Sequence, residues 1–193
     1  TRIITGGTIT NASGGSVDID VNTTLTSGTI ANAGTFDVAA GTALTFNNST
    51  LIHNSGGTTG GAGALALTGG TANTLTLNAN LTLLTLDLTL GSGSVTGNVD
   101  GTGALTVQSS IDFNSGTISA PLVIDTGTIL VDTSDTANIT GTTTINSGGT
   151  LEVQTTASAN RELDVTNTIA NDGSILLTAF SSNGNATLNL TGG

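Results

Sequence analysis

The sequence contains no cysteine, methionine, tryptophan or tyrosine, and one proline. Without cysteine no disulfide holds the chain together and no thiolate metal site can form. Its only basic residues are Arg2 and Arg161, against 13 acidic ones, for a net charge of −11. Phosphate backbones are gripped by clusters of Lys and Arg, so nucleic acid is not an expected partner, and anionic membrane surfaces are disfavoured for the same reason. Charged residues make up 8% of the chain, against about 25% in ordinary globular proteins. Lysine is absent and glutamate occurs only at Glu152 and Glu162. With so few strong helix formers beyond Leu and Ala, long helices are not expected. No apolar run is long enough for a transmembrane helix, and no membrane insertion is expected. Thr1-Arg2-Ile3-Ile4 lacks the basic region and apolar run of a signal peptide. The chain reads as one domain over residues 1–193, a mature form or a segment of a longer exported protein.

Thr, Gly, Asn, Ser, Leu, Ile and Val dominate instead, which suits short strands and tight turns. The clearest stretch is Ser27 to Phe46, with three runs opened by Gly28-Thr29, Gly34-Thr35 and Gly41-Thr42. Phe36 and Val38, then Leu44 and Phe46, alternate with small or polar residues, the period of a strand with one buried face. Glycines break the runs where the chain must turn. Three short strands joined by tight corners make one coil of a β-solenoid. An Asn/Asp-x-Gly corner recurs at Asn32, Asn54, Asn114, Asp125, Asn146 and Asn171, more loosely at Asn11, with weaker corners near Asn78 and Asp100. The expectation is an all-β, right-handed parallel β-helix of roughly eight coils of 21–25 residues, stacked into a rod some ~40 Å long.

Few residues carry chemistry. Asp18 and Asp20 share one face of a strand expected through Val17, Ile19 and Val21, but hard cations need more oxygen ligands than two carboxylates supply. His53, the only histidine, reads as a surface corner residue with no neighbouring carboxylate. The glycine-rich segment from Gly56 to Gly63 lacks the Gly-Lys-Ser/Thr ending of a phosphate loop and reads as a protruding loop. After Leu83-Leu84 the apolar phase flips, which predicts a corner or a bulge. Pro121 belongs at a corner or strand start. Asp125, Asp132 and Asp135 match no calcium-loop spacing and read as turn residues. Arg161 and Glu162 are placed with Ala157-Ser158-Ala159-Asn160 in an expected loop. Phe36, Phe46, Phe113 and Phe180 read as core. No catalytic, cofactor-binding or metal-ligating residue is assigned, and the chain is not expected to be an enzyme.

Segments such as Ile145-Asn146-Ser147-Gly148-Gly149-Thr150-Leu151-Glu152-Val153 resemble coils of bacterial filamentous-haemagglutinin and autotransporter-passenger β-helices. The resemblance is one of repeat style and composition. It implies a right-handed parallel β-helix, export to the cell surface and a structural or adhesive role, as a stalk or as a filament subunit stacked head to tail on copies of itself, in contact with host or neighbouring cells. The alternatives are an ice-binding solenoid, suggested by Thr8-Ile9-Thr10 and Thr74-Leu75-Thr76, and a polysaccharide-active enzyme. The Thr pairs do not recur at one coil position by sequence spacing. The enzyme reading needs clustered carboxylates beside sugar-stacking aromatics. An outer-membrane barrel lacks its aromatic girdles here.

Overall fold

The computed structural model describes residues 1–132, 136–155, 160–179 and 184–192. Among them there is no helix, and the regular elements are short strands. Coil 1 holds β1 (Arg2–Thr5), β2 (Thr8–Asn11) and β3 (Ser16–Ile19), and coil 2 holds β4 (Thr23–Thr26), β5 (Thr29–Asn32) and β6 (Thr35–Val38). Coil 3 runs through β7 (Ala43–Asn47), β8 (Thr50–His53) and β9 (Thr58–Gly61), and coil 4 through β10 (Ala64–Gly69), β11 (Ala72–Leu77) and β12 (Leu81–Leu83). Coil 5 is β13 (Asp87–Leu90), β14 (Thr96–Gly101) and β15 (Leu105–Val107); coil 6 is β16 (Ser110–Phe113), β17 (Gly116–Ile118) and β18 (Leu122–Ile124). Coil 7 is β19 (Thr128–Val131), β20 (Ala137–Ile139) and β21 (Thr143–Ile145); coil 8 is β22 (Thr150–Thr155), β23 (Arg161–Val165) and β24 (Ile169–Asn171). A ninth coil begins with β25 (Ser174–Ala179) and β26 (Ala186–Leu190).

Each of the first eight coils contributes one strand to each of the three faces of the solenoid. The first face stacks β1, β4, β7 and so on to β25, and the second stacks β2, β5, β8 and so on to β26. Strands of successive coils pair in parallel, as expected for eight coils wound in one sense. An antiparallel membrane barrel is built differently.

The core is made of in-register apolar columns. On the first face Leu44, Leu65, Leu88, Ile111, Ile129 and Leu151 lie one above another. On the second, Ile30, Leu51, Leu75, Val99, Ile118 and Ile139 do the same. All of these are buried, because alternation at period two sends every second side chain inward. Phe36, Phe46 and Phe113 are buried as expected; Phe180 lies outside the described residues. The spacing between register partners in successive coils ranges from 17 residues (Leu105 to Leu122) to 26 (Thr143 to Ile169), and coil 6, at 18 (Ile111 to Ile129), is shorter than the expected repeat.

Several local expectations hold. Leu84 is a corner residue, 66% exposed, between β12 and β13, while Leu86, Leu88 and Leu90 point inward. Pro121 directly precedes β18, and its carbonyl accepts from the Leu105 amide at 2.8 Å. Not expected from the sequence, a register shift between Ala66 and Gly69 takes up the extra residue of β10 against β7.

Other expectations are corrected. The glycine-rich segment is not a protruding loop: Thr58–Gly61 is β9, paired with β6. Neighbouring-coil pairing imposes strand geometry there despite weak β propensity. β3 stops at Ile19, and Val21 is 44% exposed beyond it. Arg161 and Glu162 begin β23 rather than lie in a loop, and Arg161 faces inward, where its Nε donates to the Asp132 carbonyl at 2.5 Å. Residues 157–159 and Asp135 lie outside the described residues.

Candidate functional site

The third face is not continuous. β3, β6 and β9 form one sheet, and β12, β15, β18, β21 and β24 form another. The break falls between coils 3 and 4 and coincides with a change in corner type. At the end of the second face, Asn11, Asn32 and His53 stack in register and face inward. The next two members of that column are Leu77 and Gly101. A polar inner column therefore ends at His53, where an apolar corner takes over.

That column is linked by hydrogen bonds. Asn11 Nδ2 donates to Asn32 Oδ1 at 2.8 Å and to the Thr35 carbonyl at 2.7 Å. Asn32 Nδ2 donates to the Thr58 carbonyl at 2.8 Å and to Thr59 Oγ1 at 3.2 Å. His53 Nδ1 lies 3.0 Å from Thr59 Oγ1, and His53 Nε2 lies 3.2 Å from the Asn80 carbonyl. A carbonyl only accepts, so Nε2 carries a proton, and in the neutral ring Nδ1 accepts from the Thr59 hydroxyl. His53 is 2% exposed and interior, not the surface residue expected from sequence. Burial holds its basicity below the ordinary imidazole value, opposed in part by the Asn80 bond.

Between β9 and β12 opens a slot of about 360 Å³. His53 closes one end through Asn80. Thr85 closes the other, its Oγ1 donating to the Gly61 carbonyl at 2.7 Å. Asp37 is the one carboxylate on its walls, which otherwise carry hydroxyls such as Thr35, Thr58 and Thr82 and the exposed Leu84. The inward residues of β9 are Thr59 and Gly61, in register with Phe36 and Val38 of the coil before. Small side chains in place of large ones leave the slot unfilled.

The other residues of interest are dispersed. Asp18 is exposed and accepts from Ser16 Oγ at 2.7 Å; with Asp20, Arg2 and Ile4 it borders a second groove at the open end of coil 1. Among the described residues no three carboxylate, histidine or cysteine side chains converge where a metal could sit. Asp125 belongs to a corner ladder, accepting from Gln108 Nε2 at 2.7 Å and Asn146 Nδ2 at 2.8 Å. These bonds, Asn146 first, hold its carboxyl below the usual range.

One row of threonines does recur at a fixed coil position, against the sequence reading: Thr8, Thr29, Thr50 and Thr74 stack outward on the second face and Asn98 follows. The neighbouring outward row does not repeat, running Thr10, Ala31, Ile52, Thr76 and Asp100.

The two ends of the rod differ from its flanks. Among the described residues, the exposed large apolar side chains are Ile3 and Val21 near one end, Leu176, Leu177 and Leu190 at the other, and Leu84 by the slot. Leu177 and Leu190 stand in register with the fully buried Val153 and Val165 yet are 55% and 61% exposed. They are core positions, and among the described residues no strand is stacked above them.

No protein-family model matches the chain, and no match is found among curated proteins or among solved structures.

Proposed function

We propose that this chain is an extracellular structural protein, a β-solenoid rod that serves as a stalk or a filament subunit in a bacterial surface adhesin or biofilm matrix. The observation that carries this reading is the pair of open ends. Core columns run the length of the rod and reach both end coils, where apolar side chains such as Leu177 and Leu190 are uncovered. An unpaired strand edge above an uncovered core is a template for another strand. A further coil, from the same longer polypeptide or from another copy, would cover it. Contact between the two different ends of successive copies is heterologous and propagates as a fibre.

Negative-stain electron microscopy over a concentration series tests this. Uniform filaments that shorten or vanish with Leu177→Lys are the expected result for a self-assembling subunit. Isolated short rods at every concentration, unaltered by Leu177→Lys, would leave only the stalk form. Rods that stay isolated even when coils are added to the open ends by fusion would overturn the end-stacking basis of both.

The threonine row gives the ice-binding reading one specific support. A single four-residue row beside an irregular one orders water in one dimension only, so the structural reading is preferred. Thermal hysteresis, present in this chain and lost in Thr50→Lys, would reverse that preference.

A further inference from the structure

We propose that the slot between coils 3 and 4 is an acyl-transfer site for short neutral esters, with Thr59 as the nucleophile and His53 as its general base. Both residues line the slot. Thr59 Oγ1 lies 3.0 Å from His53 Nδ1, and His53 Nε2 lies 3.2 Å from the Asn80 carbonyl. A hydroxyl held on a base, with the base oriented through its other nitrogen by a third group, is the arrangement that activates a nucleophile. The corner that carries the base is fixed. The Asn78 amide donates to the His53 carbonyl at 2.9 Å, and Asn78 Nδ2 donates to Asn54 Oδ1 at 2.8 Å. This activity is separate from the structural role and does not depend on end stacking.

A hydroxyl oxygen has two lone pairs. One accepts from Asn32 Nδ2 at 3.2 Å, and the other is left to attack an acyl carbon seated in the slot. The bond from Thr59 Oγ1 to that carbon forms as the hydroxyl proton passes to Nδ1. The imidazolium so made keeps its Nε2–H on the Asn80 carbonyl, a bond that the charge strengthens. The Thr58 amide is given to the Gly34 carbonyl of coil 2 at 2.8 Å. Successive amides of a strand point to opposite edges, so the Thr59 amide points toward β12, which belongs to another sheet. It is the donor for the oxyanion of the tetrahedral intermediate. That intermediate breaks its bond to the alcohol oxygen, which leaves with the proton from Nδ1. Water then adds to the Thr59 ester and gives a proton to Nδ1. The carboxylic acid departs, and the proton returns to Thr59 Oγ1.

The walls set the substrate class. At about 360 Å³ the slot falls within the roughly 300–1,000 Å³ of small-molecule sites. Space is open over Gly60, where a Cβ would meet nothing within 4 Å, and the exposed Leu84 offers an apolar rim. Asp37 repels anionic esters. Across β5, β6, β9, β11 and β12, which pack round the imidazole, Asp37 is the only ionisable side chain. Burial lowers the basicity of His53, so the ring is a free base at neutral pH. Activity is then lost on acidification, as pH falls through the folded value below the ordinary imidazole value of about 6.5.

Incubation of the full chain with p-nitrophenyl acetate tests the site, read as p-nitrophenol release and as acetyl groups located by mass spectrometry. The expected result is release above a protein-free blank and an acetyl group on Thr59. His53→Gln should slow acetylation of Thr59 by about a hundredfold, a usual contribution of base-assisted transfer. Thr59→Val should lose the release that accompanies it, and Thr144→Val, outward on β21, should not. Equal release from wild type and Thr59→Val would overturn the proposal, as would acetyl groups found only on the N-terminal amine or the imidazole. Should the variants fail to fold, the wild type decides. Acetylation of Thr59 in the folded chain that disappears in denaturant supports the site, and no acetyl group on Thr59 overturns it.

Discussion

Asparagine followed two residues later by glycine is the smallest device in this molecule. At the corner after β5, Asn32 Oδ1 accepts from the Gly34 amide at 3.3 Å, fixing the turn from within. At Gly34 a Cβ would lie 2.4 Å from the Gly15 carbonyl oxygen and 2.5 Å from that of Ala12, both backbone atoms of the preceding coil. Asparagine thus shapes the corner, and glycine lets one corner sit on the next. The corner after β24 repeats the arrangement, with Asn171 Oδ1 accepting from the Gly173 amide at 3.2 Å. Gly34→Ala should therefore destabilise the fold by about 1–3 kcal/mol, the usual cost of forced overpacking, measured as a lower denaturation midpoint. At Gly60, by contrast, a Cβ meets nothing within 4 Å and the backbone angle is ordinary. Gly60→Ala should leave the midpoint almost unchanged, or raise it slightly through a less flexible unfolded chain.

At the scale of the strand, the alternation that made β6 and β7 readable recurs through most coils, because a face buried on one side writes its period directly into the sequence. Corners were readable for the reason just given. β9 was not, since its Thr-Thr-Gly-Gly has no apolar alternation and ends in two glycines of poor β propensity, and it is held by pairing with β6 of the preceding coil. His53 was misread because its meaning lies in register: only stacking shows that it occupies the column of Asn11 and Asn32. The Thr8 to Thr74 row was hidden likewise, since unequal coil lengths blur a fixed spacing. Ladders between strands also set the acid response. The bonds from Asn146 and Gln108 depress the folded-state value of Asp125, so the folded chain binds fewer protons than the unfolded one. Stability from this corner is present above the ordinary carboxyl value near ~3.9 and is lost as pH falls through the folded value. Asp112 behaves oppositely: although its side chain is exposed, partial loss of hydration on the strand face, then repulsion from Asp132 and Asp87, raises its value. Its charge opposes folding at neutral pH. Asp112→Asn should raise the denaturation midpoint at pH 7 with the gain fading on acidification, whereas Asp125→Asn should lower it. Denaturation curves at pH 7 and pH 4 would show both signs.

For the whole molecule, what matters is that each coil meets only its neighbours. Stability is then close to a sum of coil and interface contributions, and the interface between coils 3 and 4 lacks one of its three ladders. Chemical denaturation read separately in the two halves should find coils 1–3 and coils 4–9 unfolding at different midpoints, with a single shared transition as the contrary result. Charge acts at the same scale. With a net charge of −11 and two basic side chains, neighbouring rods carry the same sign and repel one another. End-to-end contact by the proposed route is apolar and backbone-bonded, so it gains nothing from charge and is opposed by it. Added salt shortens the reach of that repulsion from about 10 Å at 0.1 M to about 3 Å at 1 M. Filament growth should consequently speed up between these salt concentrations, followed by light scattering. Growth that slows with salt would mean the ends meet through ion pairs and would place the contact elsewhere than on Leu177 and Leu190.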